Sequence, residues 1–239
     1  MLEKVYALLE SIGMTPEELV LKWVENGKID LDRMAELVRK NAQEKSSDVK
    51  KVKEVEPGMF LTADKKVCRQ FDAERCAAIV LKVYDDKRTA LAVDINGVCL
   101  AFSRDGLETD TLGFNGLNAT HYVSQMAIDQ NVTAEAADYC LGFENSFIRK
   151  STAFLPSKEE LESLENEVEK IYPAFVAAKM ADKTLWTSTT PAISLKEEET
   201  CKTAYIFSLR SSKVSIHSEY VSLPLDVHPF YKVDLRDFM

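Results

Sequence analysis

Apolar and polar residues alternate with two different periods along this chain, and the change from one to the other divides it. Val5, Leu8, Leu9 and Ile12 recur at helical spacing, and Gly13 supplies a stop. Thr15-Pro16-Glu17-Glu18 reads as a helix start, with a capping hydroxyl, a proline at the first helical position and acids at the positive end of the dipole. That second helix buries Leu19, Val20, Trp23 and Val24 and closes at Asn26-Gly27. A third, starting at Asp30 or Asp32, places Leu31, Met34, Leu37 and Val38 on one face. Three short amphipathic helices over 1–45 bury little area alone. They are expected to pack on the main domain, on one another in a homo-oligomer, or on a partner. Residues 46–56 are nearly all charged or small and read as a linker, with Pro57-Gly58 marking the next boundary.

Beyond Pro57 the period becomes that of strands. Met59-Phe60-Leu61 is short and apolar; 77–84 is a strand, turned back by Asp85-Asp86-Lys87 onto a hairpin partner at 89–94. Residues 95–120 lack strong periodicity, carry Gly97, Gly106, Gly113 and Gly116, and read as long loops. Helices follow at 121–130, 133–141 and 157–170, the last opened by a capping box of Ser157 with Glu160. From Leu185 the pattern returns to strands, clearest at 204–209, 213–216 and 230–233. Strands, then helices, then strands define an α+β domain over 57–239, not an alternating βαβ one.

Four ordered segments carry a family likeness. They are the 78–80/90–93 hairpin; Asn115-Gly116-Leu117-Asn118-Ala119-Thr120 ahead of a helix; Ala136-Ala137-Asp138-Tyr139-Cys140 followed by Phe154-Leu155-Pro156-Ser157; and Trp186-Thr187-Ser188-Thr189. The set resembles the bacterial C-type-lectin-like domains related to the formylglycine-generating enzyme, in particular their adhesin-associated branch. In the third motif Ala153 and Phe154 stand where those domains carry Trp and Arg. The likeness covers 57–239 and not the N-terminal helices. It implies a C-type-lectin-like fold in which Asn115, Gly116, Asn118, Leu155, Pro156, Ser157, Trp186, Ser188 and Thr189 are fold-signature residues with structural roles. Pro156 presets a first helical turn, Ser157 caps it, and Trp186 is an apolar payload with one N–H to place. The enzymatic branch uses a cysteine pair late in the domain. Here Cys201 is the only cysteine after Cys140, so oxidase activity is not carried over.

Charge and chemistry-bearing residues narrow the function further. A net charge of −9 argues against sequence-independent nucleic-acid binding and against docking on anionic lipid. A helix-turn-helix reading of Lys22, Arg33, Arg39 and Lys40 fails because acids are interleaved throughout. The opening residues show no apolar leader, and no stretch reaches a membrane span. This reads as a cytoplasmic or virion-associated chain, or a cell-surface one if a leader has been removed. The five cysteines read as reduced, mostly buried thiols with no metal-binding spacing. His121, His217 and His228 sit in no nucleophile or metal context, so neither cofactor, metal nor catalytic residue is expected.

The resulting expectation is a non-enzymatic, adhesin-like binding protein for a protein or glycan partner. Its contact surface is expected at 190–199 and 213–220, with Lys213, Ser215, His217, Glu219 and Tyr220 as contact residues. The alternative is a structural or assembly protein, such as a phage-particle component, held by its N-terminal helices.

Overall fold

The structure, a computed structural model, describes residues 55–190, 202–210 and 213–238, together with Val24–Glu25 and Lys28–Ile29. The chain divides into two compact units, Met1–Val52 and Lys53–Met239. In the first, β1 (Val24–Glu25) pairs antiparallel with β2 (Lys28–Ile29). The helix expected to bury Val24 is thus a strand at that position. Asn-Gly, the dipeptide between these strands, suits a two-residue hairpin link as well as a helix stop, because both residues tolerate positive φ. The remainder of the expected helices lies outside the described residues.

The second unit opens with β3 (Phe60–Thr62), β4 (Val67–Cys68), β5 (Cys76–Val83), β6 (Thr89–Asp94) and β7 (Val98–Ala101). Helices α1 (Gly116–Gln130), α2 (Glu135–Gly142), α3 (Lys158–Glu162) and α4 (Val168–Ala177) follow. Strands β8 (Thr184–Trp186), β9 (Thr203–Arg210), β10 (Lys213–Tyr220), β11 (Pro224–Val227) and β12 (Phe230–Asp234) complete it. The arrangement is α+β. One sheet runs β12-β6-β5-β3-β4, all antiparallel; the other runs β10-β9-β8-β11-β7, parallel only between β8 and β11.

The β5–β6 hairpin is apolar on both faces because both are covered. Ile79, Leu81, Leu91 and Val93 pack with Ile171 and Phe175 of α4 and with Phe230. On the other face Ala78, Val80, Ala90 and Ala92 leave room for Tyr231 and Phe238. Strand β12 pairs with β6 from Phe230↔Val93 to Asp234↔Thr89, so the end of the chain closes against its first long hairpin. A second core joins Val123 and Ala127 of α1 and Ala136, Ala137 and Cys140 of α2 to Phe102, Trp186 and Ile206.

Three expectations change. Strand β7 lies inside the stretch read as loop, and its partner is β11, a pairing too distant in sequence for local pattern to show. Helix α1 starts at Gly116, ahead of His121, because the Asn115 side chain accepts the Asn118 N–H at 2.9 Å. The single helix expected at 157–170 is α3, a 3-10 turn (Glu165–Glu167) and α4, which runs on to Ala177. Ser163 Oγ donates back to the Glu160 carbonyl at 2.7 Å, a local bond that competes with the helical ladder.

Candidate functional site

The segments that carry the family likeness meet in space. Ser157 and Glu160 form the capping box at the start of α3: Glu160 N–H donates to Ser157 Oγ, and Ser157 N–H donates to Glu160 Oε2 at 2.9 Å. The same oxygen accepts the Gly116 N–H at 3.2 Å, so one carboxylate serves the positive ends of two helices. Thr120 ties the first turn of α1 to the chain before α3, receiving the Leu155 N–H at 3.0 Å and donating to the Gly116 carbonyl at 2.7 Å. Beyond β8, Ser188 N–H donates to the Pro156 carbonyl at 2.9 Å, and Lys158 N–H donates to Thr189 Oγ1 at 2.9 Å. Asn115, Gly116, Leu155, Pro156, Ser157, Ser188 and Thr189 therefore form one backbone junction. Asn118 joins it only through its N–H to Asn115. Trp186 sits apart in the second core, its Nε1–H donating to the Leu100 carbonyl at 3.0 Å and its ring edge-on to Phe102 at 5.6 Å.

From this junction a buried set of hydroxyls holds the loop that precedes α1. Thr111 Oγ1 donates to the Ser188 carbonyl at 2.7 Å, Thr190 N–H donates to Thr111 Oγ1 at 2.8 Å, and Thr190 Oγ1 donates to the Thr109 carbonyl at 2.8 Å. The loop then turns at Gly113, whose φ of +78° is in the left-handed region. Just past that turn Phe114 is 40% exposed and meets Tyr122 edge-on at 5.4 Å.

Phe114 forms part of a groove of about 340 Å³, with Tyr84 and Lys82 of β5 along it and Asn115, Glu159 and Ser163 among its polar residues. Burial, then the Glu160 charge, push the Tyr84 phenol above its ordinary pKa, so it is a neutral hydroxyl near pH 7. Lys82 Nζ donates to Ser163 Oγ at 3.2 Å. The exposed Glu159 carboxylate makes no hydrogen bond or ion pair among the described residues. Half-exposed rings beside an amide, a hydroxyl and a carboxylate can bind an amphipathic ligand, stacking its apolar face and hydrogen-bonding its polar edge. Sequence reasoning placed Asn115 and Ser157 here as structural residues and missed Phe114 and Glu159. An aromatic between Gly113 and the Asn115 cap was the available signal.

The residues expected to make contact are divided by strand alternation. Lys213, Ser215 and His217 are exposed along one face of β10, and the half-buried Glu219 continues that face. His217 Nε2 lies 3.7 Å from Glu219 Oε1, an ion pair when the imidazole is protonated. Tyr220 is on the opposite face with Val214 and Ile216, so the five do not form one surface. The companion stretch 191–199 lies outside the described residues.

A second polar cluster is closed to solvent. Asp94, Tyr231 and His228 are each no more than 2% exposed. Asp94 Oδ1 accepts the Asn96 N–H at 2.9 Å, and Oδ2 faces the Tyr231 hydroxyl at 3.3 Å and the Asn145 amide at 3.4 Å. His228 Nδ1 pairs with the Asp94 carbonyl at 2.8 Å, and its Nε2 faces Lys183 Nζ at 3.3 Å. Burial raises the Asp94 carboxyl to about 6 against the hydrogen bonds that favour its charged form, and burial lowers His228.

The two groups have opposite effects on stability. With its folded pKa above 3.8, Asp94 contributes stability that is present below about pH 4 and lost as pH rises through about 6. His228, with its folded pKa below 6.5, costs stability as pH falls through 6.5. Asp94→Asn removes the charge but turns an N–H donor toward the Asn145 amide, so its effect is read as a change with pH, the variant being expected to gain roughly 2–3 kcal/mol on the parent between pH 4.5 and pH 8. Urea unfolding of both proteins at pH 4.5 and 8 isolates the Asp94 contribution as their difference. An equal difference at both pH values would refute it.

No helix among the described residues is long and apolar enough to cross a membrane. Also among the described residues, no three His, Cys, Asp or Glu side chains gather as a metal-holding group. The described residues form an α+β fold with a groove at its surface. In comparisons with known proteins, no protein-family model and no curated protein matches the chain.

Proposed function

We propose that the chain is a non-catalytic glycan-binding protein with a C-type-lectin-like domain, akin to the adhesin-associated branch that its motifs resemble. The observation that carries the reading is the groove in which Phe114 and Tyr84 stand beside the Asn115 amide and the exposed Glu159 carboxylate. A sugar ring presents an apolar C–H face and a rim of hydroxyls, which is the pairing such a groove serves. Several features support the domain assignment: the meeting of the 115–116, 155–157 and 188–189 segments, and the closure of β12 on β6. The non-catalytic reading is supported by the histidines. The partners of His228 are a backbone carbonyl and a lysine, and His121 Nε2 faces the Ser151 carbonyl at 3.3 Å. Among the described residues neither imidazole makes a hydrogen bond to a hydroxyl or a thiol.

A glycan array followed by calorimetry on the hits tests this. Phe114→Ala and Glu159→Gln are each expected to weaken binding at least about tenfold, equivalent to roughly 1.4 kcal/mol, with the fold intact. The β10 variant His217→Ala is expected to bind as the parent does. Loss confined to His217→Ala would move the site to β10, and the absence of any glycan hit at micromolar concentration would overturn the glycan assignment.

A further inference from the structure

Two thiols from different strands touch in the β3–β5 corner, and nothing in the binding reading uses them. Cys68 ends β4 and Cys76 begins β5, one on each side of β3, opposite Phe60 and Thr62 respectively. Their Sγ atoms are 3.7 Å apart, and both cysteines are free. The intervening loop folds back to bring them together. Cys76 N–H donates to the Asp72 carbonyl at 2.8 Å, Asp72 N–H donates to Cys76 Sγ at 3.3 Å, and Phe71 packs on Phe60 with ring centroids 5.3 Å apart. A bulge between Leu61 and Thr62 shifts the register of β3 against β5 at the same place. Cys68 is half-buried and is the accessible partner, whereas Cys76 is buried.

We propose that Cys68 and Cys76 form a redox-closable pair, joined by a disulfide when the protein meets a small-molecule disulfide oxidant. Closing it takes the sulfurs from 3.7 Å to the roughly 2.05 Å of a disulfide, a movement that the short strand β4 and the 69–75 loop can absorb. The balance is that of two exchanges. The Cys68 thiolate attacks one sulfur of oxidised glutathione and releases one glutathione thiolate, leaving a mixed disulfide. The Cys76 thiolate then displaces the second glutathione, so the protein loses two protons and two electrons and the oxidant is reduced to two thiols. Burial and the neighbouring Cys76 thiol push Cys68 up to about 11, so the dithiol is slow to react near neutral pH. Arg69 and Phe71 of this loop also line a separate groove of about 390 Å³ with Glu56, Lys170 and Pro173, so closure fixes one wall of that groove.

The sequence provides a direct readout, because trypsin cuts after Lys66, Arg69, Arg75 and Lys82. Incubating the full chain with oxidised glutathione at pH 8.5 is expected to lower the intact mass by about 2 Da, the two hydrogen atoms lost. It is also expected to yield Val67-Cys68-Arg69 disulfide-linked to the peptide beginning at Cys76, at a lower ratio of oxidised to reduced glutathione in buffer than in 8 M urea. Cys76→Ser is expected to stop at a glutathione adduct on Cys68. The oxidised wild type is expected to melt a few degrees higher than the reduced one. A stable glutathione adduct on Cys68 in wild type would overturn the pair, as would crosslinking of Cys68 to Cys99, or closure that needs as high a ratio of oxidised to reduced glutathione in buffer as in urea.

Discussion

Trp186→Ala is expected to be the most damaging single substitution in the second unit, costing about 4 kcal/mol or abolishing folding. Trp186 is 1% exposed and fills the core that joins α1 and α2 to the β8–β11–β7 side of the second sheet. Its removal leaves a cavity that the surrounding Ile206 and Val227 cannot refill, because strand pairings hold them. It also strands the Leu100 carbonyl, which accepts the indole N–H across the intervening strand β11. Trp186→Phe separates the two contributions: it keeps most of the ring and loses the hydrogen bond, and about 1–2 kcal/mol is expected. Urea denaturation followed by far-ultraviolet circular dichroism measures both. A cost below about 1 kcal/mol for the alanine variant would show that the core closes around the gap and that the packing account is wrong.

Gly116→Ala is the second. A methyl group there would lie 2.5 Å from Glu160 Oε2, 2.6 Å from the Leu155 carbonyl and 2.7 Å from a Phe154 ring carbon. Glu160 can swing aside only by leaving the start of two helices. The Leu155 segment cannot retreat, because Phe154 exchanges backbone hydrogen bonds with Phe230 at 2.8 and 2.9 Å. Alanine would gain up to about 1 kcal/mol in helix propensity, and the overpacking exceeds that, for an expected net loss of roughly 2–3 kcal/mol. Denaturant midpoints of Gly116→Ala and Gly142→Ala make the comparison, since a methyl group at Gly142 meets nothing within 4 Å. If the two variants were equally stable relative to the parent, the close approach would not be what requires glycine at 116.

The parts of this protein that could be read from the chain are those decided within a few residues. The β5–β6 hairpin follows from two apolar runs around Asp85-Asp86-Lys87, and Asp86 takes the N–H groups of Arg88 and Thr89 as a turn residue should. The Ser157/Glu160 capping box stands as its spacing indicates. Strand alternation likewise placed Val214 and Ile216 on the opposite side of β10 from Ser215 and His217. The same alternation puts Tyr220 on the other face of β10 from Lys213, Ser215, His217 and Glu219, with which it was expected to share a contact surface.

Strands β7 and β11 were not legible, because each is four residues long and they pair with one another across more than a hundred residues. The break between α3 and α4 was hidden for another reason. Leu161, Leu164, Val168 and Ile171 keep helical spacing across it, so periodicity could not register a local tightening. Of the candidate groove, Ser157 was visible as a cap and Asn115 as a fold-signature residue. Phe114 and Glu159 were not singled out, because exposure is a property of what fails to cover a residue.

The sequence alone therefore determined the β5–β6 hairpin, the capped start of α3 and the α+β class, since propensity, capping and alternation act between near neighbours. Tertiary structure alone decided which motif residues share a junction, that Glu160 serves two helices, that Asp94 is buried, and that Phe114 is left at the surface. It also brought the Cys68 and Cys76 sulfurs into contact. Each of these depends on segments distant in the chain being driven together by burial of a common core, and that burial leaves no mark in any short window of residues.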